Sequence, residues 1–439
     1  MDWSKLPDVM AVGLLAGAFA SVARKSHTPV SAHWLTGWVL IVFHFFAFMF
    51  LGLPGFYGTA AGLLGLWSLI WAGILFMRAS VPYRSEASSR AMFVALLGSY
   101  TIYVAVLESN PSPRLLEMAA VLLGAAPLAV GLFSIRQLNQ SLRLFTVGLQ
   151  CALAVFLLAV QNRPDGGNTA LNAVLFTVYL GATVHFWHMY RRASAGAFIT
   201  ISGFLLWANV FTVAPILMAR YPQVHFESEV WNLPKYVVAV GMILVLLEDQ
   251  IAHNKHLALH DALTGLPNRR LFQDRLASTL ERARRTETSA ALLMLDLDHF
   301  KQVNDTLGHH VGDILLQKVA ELFSGRVRRS DTVARTGGDE FAVILEGPTS
   351  HAEARHVGHT LLELLVEPLL LEGRQVQAHA SLGVAVFPED ADDMEQLCIR
   401  ADLRMYDHKR GASDPDRAVP PQRVQSLATL ESEGVEMTS

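Results

Sequence analysis

The chain has 439 residues, 52% of them hydrophobic and 17% charged, with a formal net charge of −4 at pH 7. Residues 1–247 carry 14 Lys and Arg and 8 Asp and Glu, whereas the other 192 residues carry 21 and 31, so the first part has the composition of a membrane domain and the second that of a soluble one. Neither part is strongly basic and only two cysteines occur, which argues against a nucleic-acid-binding surface and a disulfide framework.

Nine apolar runs, most of them near the length of a membrane-spanning helix, fill the first part. They cover residues 5–23, 33–53, 58–77, 91–107, 115–135, 144–160, 170–190, 197–219 and 236–250. The sequence therefore predicts an α-helical polytopic domain over residues 1–247. The first run contains Ala18, Phe19 and Ala20, which resemble the cleavage site of a signal peptide. Cleavage there would reverse the orientation of every later loop, which argues against it, so the alternative is eight spans with a first segment that does not cross the membrane.

Basic residues are divided unevenly between the two sides of this predicted domain. Nine in total lie in the connectors of one side, and five lie on the other side. Because basic loops stay in the cytoplasm, the alternation places the residues after 250 in the cytoplasm. The nine are Arg24, Lys25, Arg78, Arg84, Arg90, Arg136, Arg143, Arg191 and Arg192.

Polar residues within the apolar runs are few. His44, His185 and His188 fit either a metal or haem site or ordinary hydrogen bonds near helix ends. Glu108 and Glu117 are among the few acids in the runs, which argues against a transporter. The tryptophans mostly fall near the predicted span ends, as in an aromatic belt.

Residues 248–260 form a predicted signalling helix that leaves the last span. Leu244, Leu247 and Ile251 recur at spacings of three and four, and Asn254 and Ala258 continue this pattern. The spacing fits a short coiled coil between two chains, and a solvated helix is the alternative.

A short strand over residues 291–295 is predicted to end in two acids, Asp296 and Asp298, which a side-chain period of two places on one face. Carboxylates at the end of a strand can hold a hard cation, although a helix cap or a solvated turn also uses this pattern.

A β-hairpin is predicted over residues 332–345. Its strands are joined by Gly337, Gly338, Asp339 and Glu340. The glycines allow an anion to approach the main chain and the acids add oxygen ligands, whereas an ordinary acidic turn is the alternative.

The segment Gly337-Gly338-Asp339-Glu340-Phe341 resembles the GGDEF motif of diguanylate cyclases, which join two GTP molecules into cyclic di-GMP. Further segments match the family in the same order. They are Asp261-x-Leu-Thr-Gly-Leu-Pro-Asn-Arg, Asp296-Leu-Asp-His-Phe-Lys-x-x-Asn-Asp-x-x-Gly-His-x-x-Gly-Asp313, Ala380-Ser-Leu-Gly-Val-Ala and Ala401-Asp-x-x-Met-Tyr-x-x-Lys409. The resemblance spans residues 261–410 and does not extend to the membrane part.

The resemblance implies an α/β (α+β) domain over residues 261–411, with a central, mostly antiparallel sheet flanked by helices, similar to the palm of polymerases and class III cyclases. It also implies a homodimer, because each domain binds one GTP and ring closure needs two. Together with the predicted spans, it implies a bacterial inner-membrane protein whose catalytic domain lies in the cytoplasm.

The resemblance further implies roles for single residues. Two Mg²⁺ or Mn²⁺ ions would be held by Asp296, Asp339, Glu340 and the Leu297 carbonyl, and Asp339 or Glu340 would assist deprotonation. GTP would contact Asn304 and Asp313 at the guanine, the amides of His299, Phe300 and Lys301 and the side chain of Lys409 at the phosphates, and the backbone at Gly337 and Gly338.

Cyclic di-GMP would act as product and inhibitor, because Arg328 and Asp331 lie at the offset of the family's inhibitory site. One departure is Ser413, which stands where the family has a phosphate-binding arginine, and Arg410 or Arg417 are possible substitutes. Residues 412–439 are predicted to be disordered. A catalytically silent domain that acts as a cyclic di-GMP receptor is the alternative function.

Overall fold

The computed structural model describes residues 1–24, 29–79, 86–109, 111–133, 140–190, 194–223, 228–347 and 350–412. The chain divides into two compact units, with the boundary between Ala252 and His253. Several residues used in the sequence predictions lie outside the described ranges, namely Lys25, Arg84, Arg136, Arg191, Arg192, Ser413, Arg417 and nearly all of the predicted tail.

The first unit consists of helices. They are α1 (Leu6–Ala23), α2 (Pro29–Phe48), α3 (Phe56–Ala79), α4 (Glu86–Glu108), α5 (Pro113–Phe133), α6 (Gln140–Val160), α7 (Gly166–Met189), α8 (Ala195–Arg220) and α9 (Ser228–Leu259). Within the described ranges, nine helices are long and apolar enough to cross a membrane, which matches the nine apolar runs. The run predicted over residues 33–53 is shorter as a helix, because α2 ends at Phe48 and a turn with Gly55 at φ +64° follows.

Aromatic side chains hold the centre of this unit together. The Tyr179 ring stacks on Trp207 with centroids 4.0 Å apart, and the Tyr179 hydroxyl donates to the Leu69 carbonyl at 3.0 Å. Trp34 and Trp38 are also buried among the helices. These three tryptophans, which the sequence analysis grouped with an aromatic belt, therefore fill space between helices.

The second unit contains one four-stranded sheet. After α9, the order is α10 (Arg269–Thr286), β1 (Ala290–Leu297), α11 (Phe300–Leu307), α12 (His309–Arg326), β2 (Thr332–Gly337), β3 (Glu340–Glu346), α13 (His351–Glu363), β4 (Leu369–Leu371), β5 (Arg374–Val376), β6 (Ala380–Phe387) and α14 (Met394–Ala412). The sheet order is β2-β3-β1-β6 with every pair antiparallel, and β4 and β5 form a small separate ribbon. The predicted antiparallel sheet and its hairpin are confirmed.

The central strand β1 is apolar on both faces and packs between two helical layers. Leu293 and Leu295 join a core with α12 and α13, whereas Leu292 joins a second core with α10 and α14. Alternate side chains of a strand point to opposite faces, so one run of small and branched apolar residues serves both layers. This sandwich fixes the end of β1, where the acidic residues begin.

Candidate functional site

Two carboxylates meet at the end of β1. Asp296 is only 7% exposed and lies directly opposite Glu340 of β3 and Ser381 of β6 in the strand register. Residues at opposite positions of antiparallel strands share one face, so the Asp296 and Glu340 side chains face the same way. Asp298, which was predicted on the same strand face as Asp296, lies beyond the last residue of β1 and accepts a bond from the Ser381 hydroxyl at 2.9 Å.

The β2–β3 hairpin places Asp339 beside the same strand end. Gly338 adopts φ +50°, a conformation that side chains other than glycine rarely take, and the strand register shifts between Arg335 and Gly337. The Leu297 amide donates to the Asp339 carbonyl at 3.2 Å. The structure thus places Asp296, Leu297, Asp339 and Glu340 at one end of the sheet.

Lys409 of α14 reaches this acidic group. Its Nζ lies 2.5 Å from Asp296 Oδ1. Burial raises the pKa of the Asp296 carboxyl and the Asp339 charge adds to the rise, while Lys409 opposes both. Burial acts to lower the pKa of Lys409, but the bond to Asp296 and the charges of Asp296 and Asp339 outweigh it, so this pKa lies above its ordinary value.

The first turn of α11 follows β1 after two residues. His299 adopts a left-handed conformation at φ +59°, and its carbonyl accepts from the Gln302 amide at 2.8 Å. The first N–H groups of a helix have no partner within the helix and favour anions. The amides of His299, Phe300 and Lys301, predicted to hold phosphate, are at this helix start.

Asn304 and Asp313 lie on neighbouring helices, α11 and α12, which pack together at Gly312. A Cβ atom added to Gly312 would lie 1.9 Å from Asn304 Oδ1 and 3.3 Å from the Phe300 ring. Glycine is therefore required for the observed position of the Asn304 side chain. Sequence reasoning placed Gly312 in a motif but gave it no role.

Arg335 is the second residue that sequence reasoning missed. It donates from Nε and a terminal nitrogen to the Gly338 carbonyl at 2.9 and 2.7 Å, and from the other terminal nitrogen to Asp261 Oδ1 at 2.8 Å. Asp261 also accepts from the amide and hydroxyl of Thr264. Both residues are visible in the sequence, since the arginine lies two residues before Gly337 and the acid opens the first motif, but nothing in the sequence links the two.

The oxygen atoms at the end of β1 are of the kind that binds a hard divalent cation, because such ions prefer carboxylate and carbonyl ligands. Asp296 is buried beside two further acids, and the Lys409 ammonium supplies the positive charge that this arrangement requires. Among the described residues, no group of three or more His, Cys, Asp or Glu side chains is arranged closely enough to hold a metal ion. The residue types therefore suit the predicted Mg²⁺ or Mn²⁺ ions. In this structure, the positive group that contacts Asp296 is the Lys409 ammonium.

The predicted inhibitory pair lies at the start of β2. Asp331 accepts from the Arg328 amide at 3.0 Å and from the Glu346 amide at 3.2 Å, and the Arg328 residue is exposed. Arg410 is a predicted substitute for the missing phosphate-binding arginine. Its guanidinium carbon lies 5.8 Å from the Tyr406 ring centroid. The pair of Arg328 and Asp331 is thus adjacent, with the carboxylate already bound to backbone amides.

Comparison with known proteins assigns a family to this unit. The family described as diguanylate cyclase, GGDEF domain, matches residues 258–414. The bifunctional diguanylate cyclase/cyclic di-GMP phosphodiesterase MucR of Pseudomonas aeruginosa is 44% identical over 153 residues, which are 35% of this chain and 22% of MucR. The diguanylate cyclase TpbB of the same species is 41% identical over 167 residues, 38% of each chain.

The crystal structure of the TpbB GGDEF domain is 40% identical in sequence to the matched part of this chain. The match covers 34% of this chain and 92% of that structure, with a TM-score of 0.33. The chain spans well under half the length of the curated relatives MucR and TpbB. The helical N-terminal region has no family assignment.

Proposed function

Because residues 258–414 are a GGDEF domain that matches diguanylate cyclases, we propose that this protein is a membrane-anchored enzyme that condenses two GTP molecules into cyclic di-GMP and two pyrophosphates. The observation that carries the proposal is the pairing of buried Asp296 with Glu340 in the strand register, beside the backbone of Asp339. An acidic group next to a helix start offers sites for both cations and phosphates.

The metal ligands in this proposal are the acidic group. Asp296, Asp339 and Glu340, with the Leu297 carbonyl, would hold two Mg²⁺ or Mn²⁺ ions, which when bound neutralise triphosphate charge and activate the attacking 3′-hydroxyl. Either Asp339 or Glu340 would accept the hydroxyl proton, since both are carboxylates of the same hairpin and both are half-buried at its turn.

The remaining site residues bind and orient GTP. The α11 start and Lys409 neutralise the phosphates. Asp313 accepts hydrogen bonds from guanine N–H groups, and Asn304 beside it reads the same edge. The positive φ of Gly338 keeps the hairpin backbone open to the nucleotide.

Dimerisation is part of the proposal, since one domain supplies one GTP. On α9, Ile251 is 66% exposed and Leu247 is 37% exposed, and these residues lie four apart on one helix face. Their exposure supports pairing of α9 with a second copy along the predicted coiled-coil face. A signal received by the helical unit would change how often the two GTP sites meet, which is a shift of population and requires no new chemistry.

The proposed location is the bacterial inner membrane, with the GGDEF domain in the cytoplasm. Nine candidate spans and the alternation of basic connectors support this arrangement. A reporter fused after Leu259 should then report the cytoplasm, and one inserted near Gly166 should report the outside. The opposite pattern would contradict the orientation.

The deciding experiment is to incubate the purified full chain with GTP and Mg²⁺ and to identify the nucleotide products. We expect cyclic di-GMP from the parent and none from Glu340→Gln, because the loss of one anionic ligand weakens metal binding without opening a core cavity. Glu321→Gln, on the exposed face of α12, is the matched control and should retain activity. Full activity of Glu340→Gln would refute the assigned role of Glu340.

The second candidate function is a cyclic di-GMP receptor, which the exposed Arg328 beside Asp331 supports. If the parent makes no product but binds cyclic di-GMP, and Arg328→Ala abolishes this binding, the receptor role replaces the enzymatic one. If the parent is active, the same pair is proposed to inhibit it, because an arginine fork and a carboxylate suit the phosphate and guanine groups of the product. Inhibition should then be non-competitive with GTP.

A further inference from the structure

A short turn connects β1 to α11, between the acidic group and the helix start that is proposed to bind phosphate. It consists of Asp298 and His299, because β1 ends at Leu297 and α11 begins at Phe300. His299 has φ +59°, and a residue other than glycine keeps this conformation only where neighbouring contacts fix it. The contacts of Asp298 therefore help to decide where the first amides of α11 lie.

Strand β6 fastens this turn at two points. The Asp298 amide donates to the His379 carbonyl at 2.9 Å, which fixes the main chain. The Ser381 hydroxyl donates to Asp298 Oδ1, also at 2.9 Å, which fixes the side chain. Loss of the hydroxyl would therefore leave the main-chain bond in place and release only the carboxylate.

Ser381 is a polar residue within an apolar strand. All eight residues of β6 are buried, and Ser381 is the one among them with a polar side chain. It is 0% exposed and lies opposite Asp296 in the strand register, so its side chain is on the face of the sheet that carries the acidic group. Because alanine would fill nearly the same space without the cost of burying a hydroxyl, the hydroxyl indicates a role other than packing.

Without this bond, Asp298 would be free to cap the helix that follows it. An aspartate commonly accepts hydrogen bonds from amides two or three residues further along the chain, which here belong to Phe300 and Lys301. A negative charge is also favoured beside a helix start. The proposed function assigns these same amides to the GTP phosphates. A released Asp298 carboxylate would therefore compete with the phosphates for donors and would repel them by its charge.

The structure holds Asp298 in the other position. His299 makes no side-chain capping bond at the start of α11, and Asp298 Oδ1 is bonded to Ser381. Asp298 still acts on the site through its charge. Burial acts to lower the pKa of Lys409, but the bond to Asp296 and the charges of nearby carboxylates, Asp298 among them, outweigh it. Asp298 is thus near both groups that are proposed to hold the phosphates.

We propose that Ser381 is a positioning residue for the triphosphate of GTP. It holds the Asp298 carboxylate against β6, so that the first amides of α11 stay available to the phosphates. Ser381 acts only through Asp298 in this arrangement. The inference rests on the proposed function, and it gives a role to a residue that lies in a matched motif but had none.

The experiment measures nucleotide binding by calorimetry, with the full chain in a neutral detergent and with Mg²⁺ present. The ligands are the triphosphate and the monophosphate of 3′-deoxyguanosine, which lack the attacking hydroxyl and so stay intact. We expect Ser381→Ala to bind the triphosphate about tenfold more weakly than the parent does, and the monophosphate equally well, because the monophosphate lacks the terminal phosphates. Ser278→Ala is the matched control and should change neither affinity, since its hydroxyl bonds to a carbonyl of its own helix.

A double variant separates positioning from a general effect on the fold. Asp298→Ala alone should bind the triphosphate about as tightly as the parent, and Asp298→Ala combined with Ser381→Ala should recover the affinity that Ser381→Ala loses, because no carboxylate is left to compete. Unchanged triphosphate binding in Ser381→Ala, equal loss of both ligands, or no recovery in the double variant would each overturn the inference alone. A parent that binds neither ligand would contradict the proposed function and this inference with it, so the two failures are distinguishable.

Discussion

Asn232 of α9 donates from its side-chain amide to Asp8 of α1 at 2.8 Å, and Lys235 donates in turn to the Asn232 carbonyl oxygen. All three residues are buried. The bond joins residues 224 positions apart and ties the first helix of the chain to the last helix of the same unit. The Asn232 side chain links an acid to a base, because its NH₂ group donates to Asp8 and its carbonyl oxygen accepts from Lys235.

Asn232→Leu should destabilise the helical unit, because it leaves Asp8 and Lys235 buried without the amide between them. We expect a loss of about 1–3 kcal/mol. All eight tryptophans lie before residue 252, so the midpoint of the heat-induced change in tryptophan fluorescence reports on this unit alone. Asn209→Leu is the control, since Asn209 is bonded to a carbonyl of its own helix and should matter little. Equal midpoints for the two variants would contradict the prediction.

Arg335→Gln should destabilise the GGDEF domain and lower its proposed cyclase activity. The Arg335 side chain is 12% exposed and joins Asp261 to the Gly338 carbonyl, so its loss frees the hairpin that carries Asp339 and Glu340. We expect a loss of about 2–3 kcal/mol, or roughly 5–10 °C in the unfolding midpoint.

The measurement follows exposure of the Cys398 thiol to a thiol-reactive dye on heating, in a Cys151→Ser background. Cys398 packs against the core formed with α10, so it reports on this unit. Arg282→Gln removes a pair whose arginine is 57% exposed and should shift the midpoint much less. A shift for Arg335→Gln no larger than that of this control would rule out the bridging role.

Asp390 should stabilise the same domain in a pH-dependent way. Burial acts to raise the pKa of the Asp390 carboxyl, but bonds from Arg404 and the Val386 amide outweigh it and hold the pKa below its ordinary value. A group with a lowered folded pKa contributes stability above its unfolded pKa, near 4, and loses it as the pH falls through the folded value. The gap in unfolding midpoint between the parent and Asp390→Asn should therefore be large at pH 7 and narrow below about pH 4.

The Cys398 assay serves here with dithiodipyridine, which reacts with thiols in acid. Glu389→Asn changes the neighbouring, more exposed acid and should produce no such pH-dependent gap. A gap between the parent and Asp390→Asn that stays constant from pH 7 to about pH 3 would show that the carboxylate charge is not what stabilises the domain.

Gly312→Ala should erode the preference for GTP over ATP while leaving the domain folded. A methyl group would lie 1.9 Å from the present position of Asn304 Oδ1 and would turn this side chain away from the guanine that it is proposed to bind. Gly325→Ala in the same helix is the control, because a Cβ there meets nothing within 4 Å. It should be neutral or stabilising by up to about 1 kcal/mol. The test compares turnover of the two nucleotides, and an unchanged ratio in Gly312→Ala would contradict the positioning role.

The sequence predicts the sheet well because its signals are local. The apolar run before Asp296 and the glycine pair after Thr336 give the strand ends and the hairpin from neighbouring residues alone. The contacts of Arg335 with Asp261 and of Lys409 with Asp296 join residues 74 and 113 positions apart, and no local pattern specifies them. Only the resemblance to a family indicated which side chains gather at the end of β1.

In the helical unit, hydropathy predicts which segments are helices but not which faces meet. The burial of Trp207 and the pairing of Asn232 with Asp8 depend on how the helices pack against one another. The first run also gave no sign that Asp8 lies inward, because an acid near the end of a span can equally face water. These residues became informative only with the tertiary structure.

Asp331 has a structural role in addition to its proposed role in binding cyclic di-GMP, so variants of Asp331 and of Arg328 should differ in their effects. Its carboxylate fastens the turn before β2 to the last residue of β3, through the amides of Arg328 and Glu346. Asp331→Ala therefore loosens the open end of the hairpin in addition to removing a contact for cyclic di-GMP, so its activity mixes two effects. Arg328→Ala keeps the backbone amide and with it the fastening, which makes it the variant that isolates feedback from folding.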